Sequence, residues 1–408
     1  MEKLFIMKTK IKTTWQKVKL GNIADLNMGQ SPKSEFYNDI GEGLPFFQGV
    51  KDFGERKPTE TMYCSKPAKI VQTGDVLISV RAPVGDINIA EKESCIGRGV
   101  AGIRAKDKNN EFIYYLLLNF KDYIRSYSGG TTYESINKDA LRDLQFLVPE
   151  NSVIRKQIAD VLSAYDDLIE NNTKRIKILE QIAQAIYKEW FVYFRFPGHE
   201  KAKSRSERSS ATGIKMIDSK TEFGKIPEGW EIENLGSVAE NYDSKRRPVS
   251  KMKRQTMQGE IPYYGAAKII DYVNDHIFDG KYLLLAEDGS VITKSGNPVL
   301  QFVNEKFWAN NHTHILQGVR VSTEYLYLYL SGLSIQGYIT GVAQPKINQD
   351  NLNRILVLVP KGEVAKKFNE LAEPIFEEVW KLKETIIKLQ KVRDLLLPKL
   401  VEGEIEVS

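Results

Sequence analysis

Two hydrophobic rhythms alternate along this chain. Short apolar runs such as DVLISV, AGIRA, YLLLAE and ILVLV sit between Gly, Pro, Asn and Asp residues and predict strands joined by turns. Each strand-rich stretch also holds one apolar segment that predicts a single helix, FIYYLLLNFKDYIRSY in the first and EYLYLYLSGL in the second. The other rhythm repeats every seven residues. Ile158, Tyr165, Leu179 and Ile186 fall on heptad position a and Val161, Leu168 and Ile182 on d, while Leu162, Ile169, Ile176 and Ala183 widen the stripe. A second stripe puts Phe368, Ile375, Leu382, Leu389 and Leu396 on a, with Leu371 and Val392 on d. Asn172 also lands on a, where it either sets the register or meets water. Pro374 is near enough to the start of the second stripe to kink or delay that helix.

These elements are written twice. WQKVKLGNIADL from Trp15 matches WEIENLGSVAEN from Trp230, with Trp, Leu-Gly and Ala at equal spacing. LPFFQG, GDVLIS and EFIYYLLLNF in the first half face IPYYGA, GKYLLL and EYLYLYLSGL in the second. SINKDALRDLQFLVP from Ser135 then returns as KINQDNLNRILVLVP from Lys346. The order never changes and the offsets drift only between 206 and 217, so the chain is an internal duplication.

The expected fold is α+β: two homologous α/β domains separated by two long helices. At roughly 40 residues and 1.5 Å each, either helix would span about 60 Å. Because a strand-rich body precedes each helix, an antiparallel coiled-coil pairing would act as a spacer and create a pseudo-two-fold axis. The wide stripes leave apolar surface over for a further partner. The expected boundaries are 1–150 for the first domain, 151–195 for the first helix, and 196–229 for an exposed Ser/Lys/Gly/Pro-rich linker. Residues 230–360 form the second domain, and 361–408 the second helix and tail.

Composition changes this picture little. A length of 408 residues with 42% hydrophobic and 27% charged residues suits a soluble multi-domain protein. No run is apolar enough to span a membrane, and the mixed N-terminal stretch is unlike a secretory signal. Cys64 and Cys95 stand far apart, which argues against a disulfide framework and for a cytoplasmic location. The net charge of +5 fits nucleic acid as a partner without requiring it.

Candidate chemistry is sparse. There is no P-loop, and GRGVAG at Gly97–Gly102 reads as a tight turn. Asn-Pro-Val at 297–299 lacks the Pro-Pro-aromatic of an amino-methyltransferase. His312 and His314, two apart in NNHTH, would share one face of an alternating strand, but no Cys or carboxylate cluster accompanies them in the sequence. Asp75, Asp86, Glu287 and Asp288 sit near turns without a nuclease-type lysine at convincing spacing. The expectation is a binding protein with no catalytic residues and no metal.

Divergence between the copies concentrates in loops. NMGQSPKSEFYNDIGEG faces NYDSKRRPVSKMKRQTMQGE with its six Lys/Arg, VRAPVGD faces AEDGSVITKSGN, and SGGTTYES faces TGVAQPKI. A shared scaffold with unlike loops is expected of a protein whose loops carry specificity. Two unequal modules on a rigid spacer suit a long ligand such as DNA, whose half-sites lie about one helical turn apart.

Together, the paired module starts, GDVLIS, GVAQPKINQDNL…LVP and the closing RDLLLPKLVEGEI resemble the specificity (S) subunit of type I restriction–modification systems over essentially the whole chain. The first copy departs from this pattern, with TTYES where the second has AQPK. The resemblance implies two target-recognition domains that read a bipartite site on double-stranded DNA. It also implies two methyltransferase subunits docked on the helices, with motor/nuclease (restriction) subunits completing the complex. S-adenosylmethionine would belong to the methyltransferase subunits, and ATP and Mg²⁺ to the restriction subunits, with no cofactor in this chain. The complex would methylate adenine N6. Candidate DNA contacts are Gln30, Lys33, Arg81, Arg98, Thr131 and Tyr133 in the first domain. In the second they are Arg246, Arg247, Lys253, Tyr264, Lys294, Asn311, His312, Gln344 and Lys346. Two alternatives remain open: a stand-alone site-specific nuclease or methyltransferase, and a scaffold that assembles a complex without DNA.

Overall fold

The computed structural model describes residues 14–129, 134–198, 215–341 and 344–407. The chain divides into two units, Met1–Asn171 with Thr385–Ser408, and Asn172–Glu384. Each unit mixes sheet with helix, and each long helix contributes residues to both units.

The duplicated motifs become duplicated structure for identifiable reasons. In the first copy Ile136 is buried, and the Asn137 side chain caps the helix Lys138–Asp143 by accepting from Ala140 N. In the second Ile347 is buried, and Asn348 caps Gln349–Asn353 through Asn351 N. An Asn side chain at this position satisfies an N–H that the first helical turn leaves without a partner. The apolar run that follows pairs antiparallel with the module's opening strand. Gln145–Pro149 lies on Trp15–Lys19 in the first unit, and Leu356–Val359 on Glu231–Asn234 in the second. Start and end of each module are thus stitched together.

The main sheet of the first unit has the order Ala24–Met28, Val100–Ala105, Val76–Ser79, Ile87–Ile89. In the second unit the corresponding strands are Ala239–Asn241, Thr313–Gly318, Phe278–Ala286 and Leu300–Ala309, and the sheet continues into Gln258–Tyr264 and Ile269–Val273. One parallel pairing recurs, Phe46 with Cys95 and Tyr263 with Trp308. The distant Cys64 and Cys95 meet in a small core with Phe46 as free thiols, and burial pushes Cys95 up to about 11.

Against the sheet of the first unit packs Asn110–Asn119, whose residues Phe112 to Leu117 are all buried. It is apolar on every side because it is enclosed on every side. The expected single helix is in fact two: the backbone breaks at Phe120, and Lys121–Ser126 follows as a separate turn. The second unit has Thr323–Gly332 in the equivalent place, capped by Ser322. The expected linker is also partly structured. Met216–Asp218 and Lys225–Pro227 form a hairpin, and its Ile226 enters the core of the second unit. Residues 199–214 lie outside the described residues.

The first long helix runs Ser152–Tyr187 and continues as a π-turn, Lys188–Val192. The second runs Gly362–Val401, straight through Pro374. In the first unit Ile158 and Leu162 share a core with Leu397 and Leu400, and Arg393 Nη1 lies 2.5 Å from Asp166 Oδ1. In the second unit Ala183, Tyr187 and Trp190 pack with Phe368, Ala372 and Trp380, and Arg175 Nη2 lies 2.9 Å from Glu378 Oε1.

The phase of the seam differs from the expected one. Ile158, Phe368 and Leu382 are buried and Tyr165, Leu179, Ile375 and Leu389 half-buried. Val161, Leu168, Ile182, Leu371 and Val392, assigned to d, are instead between 37% and 49% exposed. Their places are taken by Leu162, Ile169, Ala183, Ala372, Val379 and Leu400, all buried. Steps of four-then-three and three-then-four have the same period and share every a position. They differ by one residue, about 100° around the helix. Asn172 is buried, with Arg175 Nη1 3.4 Å from its side-chain oxygen.

Candidate nucleic-acid interface

The divergent loops come together in each unit, and the same backbone contacts gather them. Arg81 and Gly129 bridge to Ser135 in the first unit, and Asp288 and Thr340 to Lys346 in the second. Gly97 N donates to Phe47 O, and Asn310 N to Tyr264 O. The loops that differ most between copies are therefore mounted on equivalent points of a common frame.

In the first unit Ser31, Gln48, Gly49, Arg81, Ala82, Arg98 and Gly99 line a small open cleft. Arg98 sits at the tip of a β-turn closed by Val100 N donating to Gly97 O at 3.0 Å, the tight turn read from GRGVAG. The turn is pressed against its neighbours. A Cβ on Gly99 would collide with the Gln48 carbonyl oxygen, and one on Gly29 with that of Gly97. Arg98 Nε lies 3.3 Å from Ser31 Oγ, while Arg81 is exposed at a strand end. Gln30 is exposed beside the cleft, anchored by its N–H on Ile96 O, and Lys33 is exposed with Glu35 3.8 Å away. Thr131 and Tyr133 lie outside the described residues.

The second unit holds a charged network at the corresponding place. Arg246 Nη1 donates to Glu287 Oε2 at 2.7 Å and to the Thr313 carbonyl at 2.9 Å, and its Nη2 lies 3.4 Å from Asp243 Oδ2. Lys346 Nζ sits 2.9 Å from Glu287 Oε1. Asp243 also holds His314 Nδ1 and the Ile315 N–H, and His314 Nε2 lies 2.8 Å from Ile347 O. Burial alone would raise the Asp243 carboxyl, but the hydrogen bond and charge of His314, the Ile315 N–H and Arg246 outweigh it and hold it below its ordinary value. Glu287 is lowered in the same way: burial opposes ionisation, while Arg246 and Lys346 favour it. Asp243, Glu287 and His314 are close enough to share a metal ion. Their ligand atoms are already engaged by Arg246, Lys346 and backbone groups, so the cluster is an ion network with its cations built in.

This arrangement reassigns several expected DNA contacts. Arg246 is largely enclosed, with its guanidinium committed to the Asp243 and Glu287 carboxylates and to three carbonyls. It fastens the loop down and has no free fork for a base. Tyr264 belongs to the core, its hydroxyl donating to Glu305 Oε1 at 2.6 Å. His312 and His314 do not share a face. His312 lies in a turn against Asp288 at 2.8 Å, whereas His314 points inward. The strand alternation expected of both begins only at Thr313.

Arg247, Lys253, Lys294, Asn311, His312 and Gln344 are exposed, His312 while paired with Asp288. Trp308 Nε1 holds the Arg247 carbonyl at 2.6 Å, and the preceding residue, Arg246, reaches the Asn311 carbonyl at 3.2 Å. Of the six basic residues in the divergent segment, Arg246 and Arg254 are spent on ion pairs, and Lys245, Arg247, Lys251 and Lys253 face solvent. Ser31, Gln48 and Asp243 are site residues that pattern alone did not single out, and His314 was singled out only as a companion of His312. For Gln48 the available signal was its place directly after LPFF, where the second copy has Gly265.

A profile of the type I restriction modification DNA specificity domain matches this chain twice, over residues 12–181 and 227–387. The type I restriction enzyme MjaIX specificity subunit of Methanocaldococcus jannaschii is 27% identical, covering 98% of this chain and 95% of its own length. A putative type I restriction enzyme MjaX specificity subunit from the same organism is 44% identical over 42% of this chain and 41% of its own. The crystal structure of a type I restriction-modification system S subunit from M. genitalium has the same fold, with a TM-score of 0.60 at 18% identity over 97% of this chain and 98% of that one. With its halves matched separately and the interval between them left out, this chain belongs to the type I restriction–modification specificity subunit family and carries two copies of its DNA specificity domain.

Proposed function

We propose that the chain is the sequence-reading subunit of a type I restriction–modification complex and that each unit reads one half of a bipartite, asymmetric site on double-stranded DNA. The observation that carries this reading is the placement of unlike loops on like frames, one set per unit. Arg81 and Arg98 in the first unit, with Gln30 and Lys33 beside them, supply the candidate contacts. Arg247, Lys253, Lys294, Asn311, Gln344 and Lys346 do so in the second. Arginine and amide side chains suit base edges, and lysines suit phosphates.

The long helices form an antiparallel coiled-coil spacer that relates the two domains by a pseudo-two-fold axis. Falling partner numbers along the helices support this, with Asp166 meeting Arg393 and Trp190 meeting Phe368. Two methyltransferase subunits dock on the helices, where Val161, Leu168, Ile182, Leu371 and Val392 turn apolar side chains outward. Restriction subunits complete a cytoplasmic assembly. This chain contributes no catalytic group, S-adenosylmethionine binds the methyltransferase subunits, and ATP with Mg²⁺ serves the restriction subunits.

The test is domain exchange in the assembled complex. Replacing residues 15–150 with the equivalent of a relative should change one half-site of the methylated sequence, read by sequencing, and leave the other intact. A change in both half-sites would refute the modular reading. Methyl transfer or cleavage by the rigorously purified chain would favour a stand-alone enzyme.

A further inference from the structure

We infer that the cleft of the first unit is a guanine-reading site in which Arg81 and Arg98 are the specificity-determining residues. The inference rests on the proposal that the units read DNA and goes beyond it by naming the base.

The two arginines line one cleft, and neither makes an ion pair among the described residues. Elsewhere in the chain Arg56, Arg104, Arg246 and Arg254 all hold carboxylates. Two unneutralised guanidiniums at one opening concentrate positive charge there, which suits an external acceptor. The nearby acid Asp52 is turned inward, accepting from Gln48 N at 2.6 Å and from Gly49 N at 3.3 Å. The Gln48 amide nitrogen faces Met62 Sδ at 3.4 Å, and Ser31 Oγ is occupied by Arg98. The charged groups that the cleft offers are therefore donors.

Guanine is the base whose major-groove edge carries two adjacent acceptors, N7 and O6, matched to a guanidinium fork. Adenine and cytosine present an exocyclic amine, for which the described lining of this cleft offers no carboxylate and only the Gln48 amide oxygen, against two guanidinium forks for guanine. Backbone geometry separates base reading from mere charge attraction. Arg98 stands on a turn packed so closely that a Cβ on Gly99 would collide with the Gln48 carbonyl oxygen and one on Gly29 with that of Gly97. Arg81 is bridged to Ser135, and the next residue, Ala82, donates its N–H to Glu134 O at 3.0 Å. Both forks start from fixed backbone, which geometric readout needs and a phosphate contact does not.

The second unit cannot read in the same way. The position equivalent to Arg81 is Asp288, occupied by His312, and the turn that carries Arg98 carries Asn311 instead. The two half-sites should therefore differ in this respect.

The experiment uses the complex reconstituted with its methyltransferase partner, carrying Arg81→Ala, Arg98→Ala or the charge-preserving Arg98→Lys, with methylated positions mapped by sequencing. Arg247→Ala in the second unit identifies which half-site belongs to which unit. The wild-type complex should require guanine in the half-site of the first unit. Each substitution there should relax that requirement about ten-fold or more and leave the other half-site unchanged. Arg98→Lys should relax it as well, because lysine keeps the charge and loses the fork.

A half-site of the first unit without guanine overturns the inference. So does a uniform loss of binding with unaltered preference and a shallower salt dependence, the signature of phosphate contacts. Failure of the underlying proposal looks different: the wild-type complex would then methylate or bind without any sequence preference.

Discussion

Arg246 shows how a residue type can be right for DNA and its environment wrong. From the sequence, an arginine in a basic divergent loop is a natural base reader. In the structure it links the Asp243 and Glu287 carboxylates and three carbonyls, and little of it reaches solvent. Replacing it with alanine should leave two inward carboxylates short of their cation and cost on the order of 3 kcal/mol, read from the urea midpoint of the second unit. Lys346→Ala, at a half-exposed side chain, should cost less than about 1 kcal/mol. The network also predicts acid sensitivity. Asp243 and Glu287 are both lowered on folding, so their stabilisation is fully present above the unfolded carboxylate range, about pH 4, and is lost as pH falls through the lower folded values. A thermal melt of the second unit that did not drop below pH 4 would contradict this. Ion pairs of this kind were hidden from the sequence because their partners are remote, 41 positions apart in Arg246–Glu287 and 71 in Asp243–His314.

At the scale of elements, period was readable and phase was not. The seven-residue spacing correctly located two long helices, and the Ile-Asn motifs marked what prove to be a buried anchor and an N-cap. The choice between the face that holds Val161 and the face that holds Leu162 needed knowledge of what the helices pack on, since both residues are aliphatic. The polar residues in the seam were equally opaque. Asp166 is buried because Tyr115 Oη donates to it at 2.5 Å and Arg393 pairs with it, and both partners come from remote segments. The corrected phase gives a paired prediction. Leu162→Glu puts an unpaired carboxylate into the core of the first unit and should destabilise it by several kcal/mol. Leu168→Glu lies on the outward face and should leave the melting temperature nearly unchanged while reducing co-purification with the methyltransferase subunit. Equal stability of the two variants would mean that the seam is not where burial puts it.

Duplication is the property of the whole molecule that the sequence displayed best, because it needs only order and spacing; the sharing of each long helix between two units needed coordinates. That sharing says where a spacer can be lengthened. The first helix passes from one unit to the other between Asn171 and Asn172, and the second between Glu384 and Thr385. Inserting one heptad at both points leaves the seam within each unit intact and keeps the 3.5-residue phase. If the helices are the ruler between half-sites, seven residues at 1.5 Å add about 10 Å, or roughly three base pairs at 3.4 Å per pair. The far half-site would also turn by about 100° on a helix of 10 to 10.5 pairs per turn, so DNA must twist or the domains must swivel to keep both contacts. The insertion variant should therefore methylate sites whose spacer is about two to four pairs longer, or lose activity while remaining folded. Genome-wide mapping decides between these results, and an active variant that kept the original spacer would show that the distance is set elsewhere.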